Sequence, residues 1–233
     1  MTSKLATSLS KGFTLAEVLI TLGIIGVVAA MTIPNLMAGY KATKLRSQFN
    51  KSYSVIQQAF RQMKADEIPT DASDYVNNSG SFYSTFKVYF TGVHDCGFYS
   101  NTSSALPCAG AYPTYKTLDG KNTVYRNWFD DGQFALADGT LIFLENPTSE
   151  SNHVYILVDL NGYAQKPNRL GYDLFIFQFV EEEIVAMGDP KSDYSDVSKY
   201  CDISVSGTYS GVACTQKAKT DADYFKWAVK NIK

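Results

Sequence analysis

Glu17 is the residue whose position most demands a chemical explanation. It is the one charged side chain in an apolar run from Phe13 to Ile33. About 20 such residues are enough to span a bilayer as a helix. A carboxylate inside a span costs on the order of 2.5–3.5 kcal/mol or more and needs a partner. No Lys or Arg lies within the run. Cleavage after Gly12 would supply a cation, because Phe13 would then carry an α-ammonium four residues before Glu17. That spacing puts the two groups on one helix face. The Glu17 of one copy can equally pair with the amine of another.

Three other sets of side chains carry chemistry. Cys96, Cys108, Cys201 and Cys214 allow three pairings, and 96–108 with 201–214 are the two local ones. Export would place them where disulfides persist. A zinc site is the competing use, but the C-x₂₋₄-C spacing is missing and only His94 lies near a cysteine. Asp159, Asn161, Asn168 and Asp173 offer oxygens of the kind Ca²⁺ takes in sixes to eights. The twelfth position from Asp159 is Leu170 rather than Glu, so this is no EF-hand loop. Its turn chemistry favours an ordinary Asn-Gly turn leading into a Pro/Asn-rich loop. The histidines, His94 and His153, sit in no metal or nucleophile motif. Phosphate-cradling glycine loops, H-E-x-x-H and G-x-S-x-G are absent, so neither an enzyme nor a cofactor is expected.

The elements that would position these residues follow from periodicity. Beyond Pro34, the residues Leu45, Phe49, Tyr53, Ile56, Phe60 and Met63 step by three or four, forming one stripe of an amphipathic helix reaching about Lys64. Some fifty helical residues would measure roughly 75 Å. The first half is apolar all round and the second has a single apolar face, which makes a membrane stem that becomes the spine of a head. Gly23, Gly26 and Pro34 weaken the helix between these halves. Residues 65–122 read as a polar connection with short strand-like pieces such as Phe82–Phe90. A sheet of four to six antiparallel strands is expected over Val124–Phe129, Phe134–Ala137, Leu141–Glu145, Val154–Leu160, Leu174–Val180 and Ile184–Met187. Asp130-Asp131-Gly132, Asp138-Gly139 and Asn161-Gly162 supply turn and hairpin signals between them. Residues 189–220 read as a loop stapled by Cys201 and Cys214, and Asp221–Ile232 as a terminal helix. One long helix on an antiparallel sheet is an α+β architecture.

Gly12-Phe13-Thr14-Leu15-Ala16-Glu17, after a short basic leader and before a long apolar run, resembles the N-terminus of type IV pilins and type II secretion pseudopilins. The resemblance implies a pilin-like fold and cleavage between Gly12 and Phe13 by a prepilin peptidase at the cytoplasmic membrane face. It also implies N-methylation of Phe13 and pairing of Glu17 with a neighbouring subunit's N-terminus as a filament assembles. Pro34 matches the helix-kinking proline common in that family. Partners implied are the peptidase, other pilin or pseudopilin subunits, the inner-membrane assembly platform and the membrane itself. Some major pseudopilins hold calcium late in their sheet, which is the family's bearing on Asp159, Asn161, Asn168 and Asp173. A paired-cysteine loop near the C-terminus also resembles many type IV pilins.

The expected organisation is a leader over 1–12, an assembly helix over 13–34 and a spine over 35–64. A head follows over 65–233, with its loop at 65–122, its sheet at about 123–188 and its stapled C-terminal region at 189–233. Lys4 and Lys11, with no acidic residue in the leader, favour a cytoplasmic N-terminus and an external head by the positive-inside rule. Net charge is −2 and Lys/Arg are not clustered on one face, so no nucleic-acid partner is expected. An ordinary signal peptide cut after Val28-Ala29-Ala30 competes for the same stretch. It leaves Glu17 unexplained and ignores the periodicity beyond Ala30. The function expected is that of a structural subunit of a pilus or pseudopilus. The alternative is an exported monomeric binding domain held by its N-terminal anchor.

Overall fold

A computed structural model describes residues 12–76, 81–147 and 153–232; the leader positions 1–11 lie outside it. The described residues fall into two units divided between Tyr40 and Lys41. Helix α1 (Leu15–Ala65) contributes to both.

In the first unit, the side chains of Phe13, Leu15, Leu19, Ile24, Ile25, Met31 and Leu36 are all exposed. Among the described residues, none buries any part of its most apolar window. Among the described residues, α1 is the one helix long and apolar enough to cross a membrane.

In the second unit, α1 buries Ala42, Leu45, Phe49, Ser52, Ile56, Ala59, Phe60 and Met63, with Tyr53 half-covered. This is the stripe read from the sequence. It packs on a six-stranded antiparallel meander in chain order: β1 (His94–Gly97), β2 (Gln133–Ala135), β3 (Leu141–Glu145), β4 (Val154–Asp159), β5 (Leu174–Val180) and β6 (Glu183–Ala186). Phe49 meets Phe175 edge-on with centroids 4.9 Å apart, and Phe60 meets Phe179 at 4.8 Å. Each large apolar side chain so buried contributes about 1.5–3 kcal/mol. The chain is thus α+β, with the spine of α1 laid on an antiparallel sheet.

Strand alternation sorts the sheet into two apolar faces. Phe134, Ile142, Leu144, Ile156, Val158, Phe175 and Phe177 face α1. Ala135, Leu141, Phe143, Leu157, Leu174 and Ile176 pack instead under Tyr115, Val124, Trp128, Phe129, Met187 and Val212. All six residues of β4 are buried, as a short unbroken apolar run between turns suggests.

Local structure departs from the sequence reading at four places. Phe82–Phe90, expected as strand-like, contains helix α2 (Ser81–Lys87). Its aromatics fall at i, i+4 and i+8, so Phe82 stacks on Phe86 at 5.0 Å and Phe86 meets Phe90 at 5.0 Å. Aromatic β-propensity misled there, because propensity yields to packing. Val124–Phe129, expected as a strand, ends in a 3-10 turn (Arg126–Phe129) that turns Trp128 and Phe129 onto the outer face of the sheet. The sixth strand comes instead from β1, inside the polar connection, paired with β2 through a bulge between Asp95 and Gly97. The C-terminal region also holds helices α3 (Val197–Tyr200) and α4 (Cys214–Thr220), before α5 (Tyr224–Asn231).

Candidate functional site

Glu17 sits in the first turn of α1. Its Oε2 accepts the Thr14 backbone N–H at 2.8 Å and the Thr14 hydroxyl at 2.8 Å, while its own N–H donates to Thr14 Oγ1 at 3.2 Å. This is a reciprocal capping box, which satisfies donors that a helix start otherwise leaves without partners. Its T-x-x-E signature was present in the sequence, and the reading above missed it. Gly12 and the exposed Phe13 precede the helix. Pro34 lies inside α1, where Thr32 donates to the Val28 carbonyl at 2.9 Å and Asn35 to the Met31 carbonyl at 3.4 Å. Pro34 has no N–H, so the carbonyl it leaves without a helical donor is that of Ala30, one turn earlier.

The four cysteines form two bonds. Cys96 joins Cys108 with Cα atoms 5.6 Å apart, and Cys201 joins Cys214 with Cα atoms 4.8 Å apart. The Gln133 side chain ties the first loop to β2: its Oε1 accepts the Ala109 N–H at 2.9 Å and its Nε2 donates to the Gly110 carbonyl at 2.8 Å. The second bond fixes the end of α3 to the start of α4. α4 docks on the sheet through Ile176 N–H to Thr215 Oγ1 at 2.9 Å and Gln216 N–H to the Met187 carbonyl at 3.0 Å. His94 lies close enough to share an ion with both sulfurs of the first pair, but those sulfurs are spent on each other. His153 places Nδ1 3.1 Å from Asp193 Oδ2 and stacks on Tyr155.

The connection between β4 and β5 gathers the oxygen-rich set. Asp159 Oδ1 accepts the N–H groups of Asn161 at 3.1 Å and Gly162 at 3.0 Å, and its Oδ2 accepts the Tyr115 hydroxyl at 2.6 Å. The Asp173 oxygens accept the N–H groups of Asn168 at 2.9 Å and Arg169 at 2.6 Å. All four carboxylate oxygens therefore have protein donors and hold the turn together. Asn161 Oδ1 and Asn168 Oδ1 are buried without a hydrogen bond. Burial, and then the neighbouring Asp173, raise Asp159 above the usual carboxylate range; burial raises Asp173. At Gly162 (φ +80°) a Cβ would sit 2.6 Å from the Gly139 carbonyl oxygen, so this turn rests directly on the β2–β3 turn.

A third acidic group has no counterpart in the sequence reading. Asp130, Asp131 and Glu145 bring carboxylate oxygens within 4.8 Å of one another, and Asn146 N–H donates to Asp131 Oδ2 at 2.8 Å. Burial first, then Asp131 and Asp130, push Glu145 up to about 9. Burial and Asp131 push Asp130 up to about 6, against a smaller opposing pull from Arg126.

These features define a class: an α+β head whose spine helix extends, at its N-terminal end, into an exposed apolar segment opened by a capped carboxylate. That arrangement fits a single-pass, membrane-anchored protein. Residues 7–33 match the model of the prokaryotic N-terminal methylation motif, the signature of type IV pilins and pseudopilins. No curated protein and no solved structure matches the chain.

Proposed function

We propose that this protein is a structural subunit of a pilin-like filament, a type IV pilus or a type II secretion pseudopilus. The observation that carries the reading is the methylation motif over residues 7–33, which sets Glu17 one turn inside an apolar helix whose most apolar window is not buried among the described residues. In this reading, residues 1–12 are a leader that prepilin peptidase removes after Gly12, and Phe13 is then methylated. Residues 13–34 hold the subunit in the membrane and later pack against other copies, with Pro34 kinking the helix. Residues 35–64 form the spine of an external head over 65–233, which the bonds 96–108 and 201–214 staple. Glu17 registers each subunit against its neighbour's N-terminal amine, and the assembly platform of the inner membrane drives polymerisation. No step requires catalysis by the subunit itself.

Mass and N-terminal sequence of the protein recovered from its native membrane test the processing. A chain starting at N-methyl-Phe13 is expected. A start near Met31 would identify an ordinary signal peptide, and an intact Met1 a plain anchor. Glu17→Ala tests the assembly: membrane insertion persists and filaments disappear. Filaments formed at the normal level by that variant would leave a tethered monomeric domain as the better description.

A further inference from the structure

A polar pocket of about 420 Å³ opens in the head beside the residues where α1 enters it. Its lining includes Lys41, Lys44 and Gln48 of α1, Asp138 of the β2–β3 turn, and Gln165 and Lys166 of the connection after β4. Positive charge there is not cancelled. Asp138 already holds the Lys51 ammonium at 2.6 Å and the Thr140 N–H at 3.0 Å. Among the described residues, no ion pair joins Lys41, Lys44 or Lys166 to a carboxylate. Asp173 attracts Lys41 from beneath, but it is buried and both its oxygens are taken by backbone N–H groups. Lys41 Nζ stands 5.3 Å from the Tyr172 ring centroid, and Lys166 Nζ stands 5.1 Å from that of Tyr163. A ring face positions a cation without neutralising it.

We propose that this pocket seats the phosphate of an anionic membrane lipid. Lysine ammonium groups are compact charges with three donors each, suited to the several acceptor oxygens of a phosphate. Chain connectivity supplies the lipid. Lys41 follows Ile33, the last residue of the apolar run, by eight residues. At no more than about 3.6 Å per residue, the chain holds Lys41 within about 29 Å of the end of that run in any conformation. Basic residues next to a membrane segment each strengthen attraction to an anionic surface, by about fivefold per lysine close to it. The inference requires the apolar segment to lie in a bilayer and does not require polymerisation, so it can fail while the filament reading stands, and the reverse.

The test reconstitutes the full chain in nanodiscs of phosphatidylcholine, with or without phosphatidylglycerol, and follows acetylation of individual lysines by peptide mass spectrometry. Phosphatidylglycerol is expected to slow Lys41, Lys44 and Lys166 by about fivefold or more, with Lys121 and Lys226 unchanged. The double variant Lys44→Gln/Lys166→Gln, both exposed positions, is expected to return Lys41 to its rate in phosphatidylcholine with the melting temperature of the head unaltered. Equal rates in both lipids would overturn the proposal. So would equal protection by inorganic phosphate added to phosphatidylcholine discs, which would mark a site for the free anion. Protection that rises with the number of chains per disc would assign the pocket to a second copy instead.

Discussion

Residues 15–40 and 41–65 belong to one helix, yet they solve the problem of apolar surface in opposite ways. In the first stretch Leu19, Ile20, Leu22, Ile24, Ile25 and Val27 are each more than half exposed. In the second, every third or fourth residue is sealed under the sheet, and Ile56 and Met63 have no exposure at all. Helical propensity favours the second stretch, since Gly23, Gly26, Pro34 and Gly39 all lie in the first, but what sets the two apart here is the distribution of apolar residues around the axis. A helix apolar on all sides needs an apolar solvent or copies of itself, whereas one with a single stripe needs only one covering layer. Among the described residues, that layer is the sheet over residues 41–65.

This contrast can be broken by substitution, with the full chain in detergent and unfolding followed by denaturant. Phe49→Ala should have the largest effect. It removes a ring packed against Phe175, Phe177 and Phe225, and about 3–5 kcal/mol of head stability should be lost. Replacing Cys201 and Cys214 together by Ser should cost about 3 kcal/mol, the value for a closed loop of this length. Reducing agent should then destabilise the variant less than the parent, because only the Cys96–Cys108 bond is left to reduce.

The acidic group gives a smaller effect with a defined sign. Glu145 titrates near 9 in the folded protein against 4.5 ordinarily, so the folded state retains a proton that the unfolded chain releases. Stability therefore falls as pH rises from about 4.5 to 9, and Asp130 adds to the fall between about 4 and 6. The unscreened shift would be worth about 6 kcal/mol, and solvent screening at the partly exposed Glu145 cuts the expected loss to about 1–2 kcal/mol. Glu145→Gln should flatten the profile in unfolding curves taken at pH 5 and pH 9; an unchanged slope would place the proton elsewhere. Ile24→Ala should have the smallest effect. Head stability should stay within about 0.5 kcal/mol of the parent, because Ile24 is 60% exposed and belongs to neither core cluster of the described residues. A loss comparable to that of Phe49→Ala would mean the two stretches are not separate in the way described.

What the sequence made legible was whatever a period of 3.6 or an unbroken apolar run could encode. The Leu45–Met63 stripe, and strands β3, β4 and β5, lie close to where those patterns put them. Features fixed by tertiary contact were not legible. The β5–β6 turn is built from Glu181 and Glu182 at φ +46° and +61°, side chains that give no turn signal, and the pairing of Val180 with Glu183 holds them there. Asp131 and Glu145 meet only because the β2–β3 register brings Gly132 opposite Leu144, whose N–H it accepts at 2.9 Å. At the N-terminus Glu17 was conspicuous as a charge among apolar neighbours, while the part played by Thr14 lay in a spacing that was easy to pass over.

The meander has both faces covered, and among the described residues β1 and β6 are its two edge strands. β1 is four residues long and bulged. β6 is also four residues long, and the Gln57 amide of α1 donates to its Ile184 carbonyl at 2.6 Å. At the local concentrations a filament imposes, a long bare edge would recruit neighbouring heads by strand addition and end in aggregation. Short, interrupted edges close that route, so in the proposed filament the heads would crowd together while the lasting contacts between copies fall to the helix.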